Sequence, residues 1–183
     1  EERSTGELNL SAGFSSLERF ILQASIRQRN FRGKGQELRA SASLSQFSKS
    51  IELGFTEPYL FGKTIAVGGD IFRRDLNQFN FNGNQRQTIF TQISTGIPIT
   101  EYLSLSGRYG LVYDQVNDND ARQQNPDGTC NPQAAGRFIC DSVGNRVTSS
   151  IGYSLVYDSL NSRLRPSSGN RAIFSQDLAG LGG

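Results

Sequence analysis

Arg19-Phe20-Ile21-Leu22-Gln23-Ala24-Ser25-Ile26-Arg27 is the stretch that decides how this chain folds. Apolar and polar residues alternate along it, and a period of two places successive side chains on opposite faces of a β-strand. Glu37-Leu38-Arg39-Ala40-Ser41-Ala42-Ser43-Leu44-Ser45 repeats the pattern, as does Thr148-Ser149-Ser150-Ile151-Gly152-Tyr153-Ser154-Leu155. Nine such stretches, each of about ten residues, run along the chain, the length of strand that crosses an outer membrane. In a soluble sheet the apolar faces would need a core to meet. Here they are thin, made of Leu, Ile, Ala and aromatics, while the other faces carry Gln, Arg, Ser, Glu and Gly. The pattern predicts an all-β, antiparallel, up-and-down transmembrane barrel, apolar toward lipid and polar toward a wet lumen.

Composition agrees with that reading. The 183 residues are 36% hydrophobic and 20% charged, with 20 Gly and no His, Met or Trp. That is a poor core for a soluble β-sandwich or a soluble ligand-binding barrel, the competing folds. A membrane barrel tolerates it, because only every second strand residue meets lipid. The net charge of +2 is too small, and the Lys and Arg residues too scattered, for a nucleic-acid surface. The acidic, polar opening Glu1-Glu2-Arg3-Ser4 is not a signal peptide and suggests a mature chain or an excised piece. Cys130 and Cys140 share the longest loop; their even count and short separation fit a disulfide in an oxidising compartment, the alternative being two free thiols.

The strands are expected at about Gly6–Phe14, Arg19–Gln28, Gln36–Gln46, Ser50–Glu57, Thr64–Arg74, Gln87–Ile97, Leu103–Gln115 and Arg146–Asp158, with a ninth from about Asn170. On the first, Leu8, Leu10, Ala12 and Phe14 share one face, and Glu7, Asn9, Ser11 and Gly13 the other. Compact connections built on Gly, Pro and aromatics follow strands two, four, six and eight. Long polar ones follow five and seven, and the links after one and three are short. Because periplasmic turns are short and extracellular loops longer, strand one is expected to rise from the periplasmic side. Tyr and Phe near strand ends fit interfacial girdles. Closure of a bacterial single-chain barrel wants an even strand number. A count of nine, ending in Gly-Leu-Gly-Gly, points to part of a larger barrel.

Four turn segments carry a family resemblance. They are Arg29-Asn30-Phe31-Arg32-Gly33-Lys34-Gly35-Gln36, Thr56-Glu57-Pro58-Tyr59-Leu60-Phe61-Gly62, Gly96-Ile97-Pro98-Ile99-Thr100-Glu101-Tyr102 and Arg163-Leu164-Arg165-Pro166-Ser167-Ser168-Gly169, one per hairpin and in this order. Together with the closing Ser175-Gln176-Asp177-Leu178-Ala179-Gly180-Leu181-Gly182-Gly183, the series resembles the first half of the barrel of the BamA family of outer-membrane protein assembly factors. The resemblance implies a barrel of about sixteen strands behind periplasmic POTRA domains, so residues 1–183 would be its N-terminal half, without the POTRA domains or the C-terminal strands. It implies location in the bacterial outer membrane, nascent outer-membrane β-barrel proteins as clients, contact with outer-membrane lipids, and accessory assembly lipoproteins as partners. The cysteine pair is not a feature it explains.

No catalytic constellation is legible. Without His, neither a Ser-His-Asp nor a Cys-His arrangement is available. Asp118 and Asp120 lie in a polar loop as solvated carboxylates, and the Gly and closing Glu of a calcium loop are missing around them. Gly33-Lys34-Gly35 lacks the frame of a phosphate loop. No metal, cofactor or enzymatic activity is expected. Arg27, Arg39 and Arg108 are expected to pair with carboxylates such as Glu37 and Glu52 inside the barrel. Function would then come from the backbone. A sheet edge is a template for strand addition, and by resemblance Gly6, Glu7, Leu8, Asn9, Leu10, Ser11, Ala12, Gly13 and Phe14 form one side of a lateral gate. Gly6 and Gly13 would weaken that strand and ease its opening. A passive channel and a related translocation or secretion barrel are the competing functions, and free edges also invite edge-to-edge self-association.

Overall fold

Alternation gives every strand two unlike faces, and the computed structural model shows where each face goes. It describes residues 6–16, 18–77, 84–118, 124–162 and 164–180, with no side-chain description for Asn84 and Asp118. Asp120, Arg163 and the two chain ends, all used in the reading above, lie outside the described residues. Nine strands form one sheet in chain order: β1 (Gly6–Ser15), β2 (Arg19–Phe31), β3 (Gln36–Ser45), β4 (Ser48–Glu57), β5 (Ala66–Asn77), β6 (Asn84–Pro98), β7 (Leu103–Asp118), β8 (Gly144–Asp158) and β9 (Arg171–Ala179). Every neighbouring pair is antiparallel, and within the described residues β1 and β9 do not meet. The sheet is the open, up-and-down meander that the pattern predicts.

Register sorts the faces. Leu8 opposes Ile26, Leu10 opposes Ala24, Ala12 opposes Leu22 and Phe14 opposes Phe20. The apolar rows continue through Ala40, Leu53 and Ile71, and further on through Ile93, Tyr109, Ile151 and Leu178. None of these side chains enters a protein core: among the described residues no hydrophobic side chain is buried. Leu8, Leu22, Leu38 and Leu53 all stand exposed on this one face. A continuous apolar sheet face with no second layer against it is stable in hydrocarbon, where the ladder satisfies the backbone and the side chains meet lipid. This excludes the soluble fold.

Four strands run three residues past an expected end. β2 continues to Phe31, β5 continues past Arg74 to Asn77, β6 begins at Asn84 instead of Gln87, and β7 runs on past Gln115 to Asp118. Polar residues end the lipid-facing band but not the ladder, because Asp75 still pairs with Gln87 and Asn77 with Gln85. At the other end, the β2–β3 turn closes through bonds from the Gly33 amide to the Asn30 carbonyl (3.1 Å) and from the Gly35 amide to Asn30 Oδ1 (2.7 Å). Arg32, Gly33 and Gly35 all take positive φ there, which glycine adopts without a steric penalty. Pro98, which has no donor, is the last residue of β6.

The β7–β8 connection carries a short helix, α1 (Arg137–Ser142), and Cys130 and Cys140 are bonded across it, with Cα atoms 5.4 Å apart. The disulfide expected from the sequence is present. The bond closes a small ring on an exposed loop and restricts its open states. In the same loop the Thr129 hydroxyl and amide donate to Asp127 and hold that carboxyl below its usual range.

Candidate functional site

Two structures compete for attention: the charged inner face and the bare β1 edge. On the inner face, Arg27 donates to Glu37 from Nε (3.0 Å) and Nη2 (3.1 Å). Arg39 stands 3.6 Å from Glu37 and reaches past β4 to donate to Asp70 at 2.9 Å. That reach needs space. Arg39 opposes Gly54, and Gly54 opposes Asp70. A Cβ at Gly54 would lie 2.5 Å from Asp70 Oδ1 and 3.1 Å from two guanidinium nitrogens.

The same device recurs at the far side of the sheet. Arg108 opposes Gly152, which opposes Asp177. Arg108 passes over the glycine and donates to Asp177 from Nε (3.0 Å) and Nη2 (2.7 and 2.6 Å), while Nη1 donates to the Ser154 hydroxyl (3.3 Å). A Cβ at Gly152 would collide with the Asp177 carboxylate and sit 2.8 Å from Arg108 Nε. Each Arg–Gly–Asp row therefore clamps three adjacent strands with one guanidinium, whose planar fork suits a carboxylate.

The expected pairing of Arg27 with Glu37 is present, but Glu52 forms no ion pair among the described residues. Asp70 and Asp177 take its place for Arg39 and Arg108. Sequence reading missed them because the partner lies two strands away and not on the next one. Gly54 and Gly152 were the available signal, once hairpin register set each between an Arg and an Asp. A second missed feature is apolar: Phe72, Phe90 and Val112 face one another on the inner side, and Gly110 leaves room for the Phe90 ring.

β1 is built differently. Its residues from Gly6 to Phe14 are all exposed, with Leu10 at 72% and Phe14 at 81%. Its side-chain ties to the sheet include a Glu7–Arg29 ion pair (2.9 Å) and a long hydroxyl bond from Ser11 to Gln23 (3.4 Å). Behind it the inner face is a shallow trough of small polar groups, including Asn9, Ser11, Ser25, Ser41 and Ser43. A Cβ at Gly13 would touch nothing, and one at Gly6 would meet only the movable end of Gln28. Neither glycine is required by packing. Among the described residues β1 pairs with β2 alone, as β9 pairs with β8 alone.

Within the described residues, no group of three or more His, Cys, Asp or Glu could hold a metal ion. The arrangement offers the chemistry of a backbone edge and a charged interior surface.

Comparison with known proteins places this geometry. Residues 30–183 match the Omp85 superfamily domain. The outer membrane protein assembly factor BamA of Neisseria meningitidis serogroup B is 30% identical over 122 residues, which cover 64% of this chain and 15% of that protein. BamA of Neorickettsia risticii is 24% identical across 100% of this chain and 23% of its own length. The crystal structure of BamA from Haemophilus ducreyi lacking POTRA domains 1–3 superposes over 100% of this chain and 35% of that one, with a TM-score of 0.63 at 24% identity, and so shares the fold. The chain spans less than a quarter of the length of these curated relatives. The likeness to the BamA family read from the four turns is borne out by these relatives. The sheet is an outer-membrane, lipid-facing β-sheet, and the chain belongs to the Omp85 superfamily.

Proposed function

We propose that this sheet is the N-terminal nine strands of a barrel of about sixteen and serves the assembly and insertion of outer-membrane proteins. β1, from Gly6 to Phe14, acts as a lateral-gate edge on which a client β-strand is templated. The observation that supports this reading is the light side-chain attachment of β1 to β2, a half-exposed ion pair and a long hydroxyl bond, beside the three-strand Arg108–Asp177 clamp at the other end of the sheet. Backbone groups left unsatisfied in hydrocarbon cost several kcal/mol each. A β1 edge opened at membrane depth therefore binds extended peptide strongly, with affinity supplied by the backbone and little dependence on sequence. Many clients fit such a site.

Orientation follows from the connections. The long β7–β8 connection that carries the disulfide is assigned to the outer side, so β1 rises from the periplasm and the turns after β2, β4, β6 and β8 are periplasmic. Nascent barrel proteins are the clients, and POTRA domains and accessory lipoproteins deliver them from the periplasmic side. No ATP or cofactor is needed, because the free energy comes from strand pairing and burial in lipid.

The test is a disulfide engineered between β1 and the strand that closes the barrel in the intact protein. Locked protein is expected to lose assembly of a reconstituted client and to regain it on reduction. Undiminished assembly by the locked form, or steady small-solute conductance without any client dependence, would instead indicate a passive channel.

A further inference from the structure

We propose that the β2–β3 and β4–β5 turns together form a binding surface for the anionic phospholipid headgroups of the periplasmic leaflet. The two turns are one unit: an added Cβ at Gly35 would lie 3.7 Å from Pro58 and 3.9 Å from the Tyr59 ring, ordinary contact distance. The β4–β5 turn is shaped by its own bonds, from the Gly62 amide to the Tyr59 carbonyl (3.1 Å) and from the Lys63 amide to that of Leu60 (3.1 Å). They hold Phe61 in a left-handed conformation (φ 54°) with its side chain 91% exposed. A large apolar ring projected from a tight turn, at a strained backbone position, is out of place in water. At a membrane surface it has a partner, since aromatic rings collect at the level of the headgroups.

The same two turns carry three cations. Arg32, Lys34 and Lys63 are all exposed, and none forms a salt bridge among the described residues. Arg32 lies over Phe31, 5.5 Å from the ring centroid. Glu57 is the acidic group nearby; it is bonded to the Gln36 amide group and feels the charge of Lys34. Three cations against one carboxylate leave the surface positive. The next turn at this end, residues 99–102, carries Glu101 and no cation; the β8–β9 turn carries Arg165, but only the first two turns combine cations with the contact at Gly35 and the projecting Phe61. Basic groups beside an interfacial aromatic suit lipid phosphates, each cation near an anionic surface contributing about 1 kcal/mol.

This inference rests on the orientation proposed above, and the experiment separates the two. The intact protein is reconstituted in phosphatidylethanolamine alone and in phosphatidylethanolamine with phosphatidylglycerol, roughly three to one, enough to make the surface strongly anionic. The temperature at which the compact folded form is lost is then measured. The unmodified protein should melt several degrees higher with phosphatidylglycerol, and about 1 M salt, where charges are screened within ~3 Å, should abolish the gain. Lys34→Gln with Lys63→Gln should lose the gain, Lys34→Arg with Lys63→Arg should keep it, and Arg137→Gln at the opposite rim should leave it intact. Equal melting in the two bilayers, or a gain that survives salt or the double Gln variant, overturns the proposal. A Gln variant destabilised equally in both bilayers indicates a contact with another part of the protein and also overturns it. Separately, Ser167→Cys in the β8–β9 turn should resist an impermeant thiol reagent in intact cells. Labelling there would refute the orientation itself, whatever the lipid response.

Discussion

The margin at β1–β2 and the region β7–β8–β9 use the same ladder and differ in everything hung on it. β7 and β8 are sixteen and fifteen residues long, against ten in β1. Gly110, Ser149 and Gly152 are buried there, Ser149 to 1% exposure, whereas no residue of β1 is buried. The Gly180 amide donates to the Ser149 carbonyl at 2.8 Å, extending the contacts between β8 and β9 beyond the last strand residue. One side of the sheet is clamped across three strands by Arg108 and Asp177. At the other, the ties of β1 itself include its backbone ladder, the Glu7–Arg29 ion pair and the Ser11–Gln23 bond, and the Arg27–Glu37 pair and the Arg39–Asp70 clamp begin only at β2 and β3. Extra strand length and a three-strand clamp make separation of β8 from its neighbours costly; β1 gives up little beyond its ladder when it leaves β2.

The contrast breaks most readily at the glycine under the clamp. Gly152→Val should destabilise the folded protein by about 1–3 kcal/mol in denaturant titrations, because the added carbons take the space in which the Arg108 guanidinium meets Asp177 and so break the clamp. Gly13→Ala, at the free margin, is its control and should be silent within about 0.5 kcal/mol, there being only open space to fill. A large loss from Gly13→Ala would end the distinction.

Arg39→Met comes next, at about 1 kcal/mol, because Asp70 loses its cation while water and neighbouring groups still reach it. Asp70→Asn in that background should recover part of the loss, a coupling that a double-mutant cycle would register. Glu7→Gln, removing the ion pair between two half-exposed chains at the margin, should cost about 0.2–1 kcal/mol and respond to salt. The smallest effect on the sheet is expected from Cys130→Ser with Cys140→Ser. Limited proteolysis within residues 124–143 should accelerate, while the melting of the barrel stays unchanged, since the crosslink constrains only its own loop.

The strand order and the outward face were legible because alternation is a local property with a fixed period. Arg19–Gln28 was readable in isolation, and its observed span differs only by running on to Phe31. The disulfide was legible as well, since two cysteines in one loop leave few partners. Strand ends at β5, β6 and β7 were not, because hydropathy marks where lipid stops and the ladder goes further. The partners of Arg39 and Arg108 were hidden for a different reason. Asp70 lies 31 residues from Arg39, and Asp177 lies 69 from Arg108, so neither pairing leaves a local trace. The β1 margin was half visible: its residues were marked by resemblance, and its light side-chain attachment emerged only in the folded sheet.

Sequence alone determined that this chain makes amphipathic strands in a meander, since the two-residue repeat and the glycine-rich turns act over a few bonds. Tertiary structure alone decided which cations meet which carboxylates, where glycine had to make room, and which margin stayed lightly held. Those outcomes depend on register between strands, and register is settled when the whole sheet pairs at once.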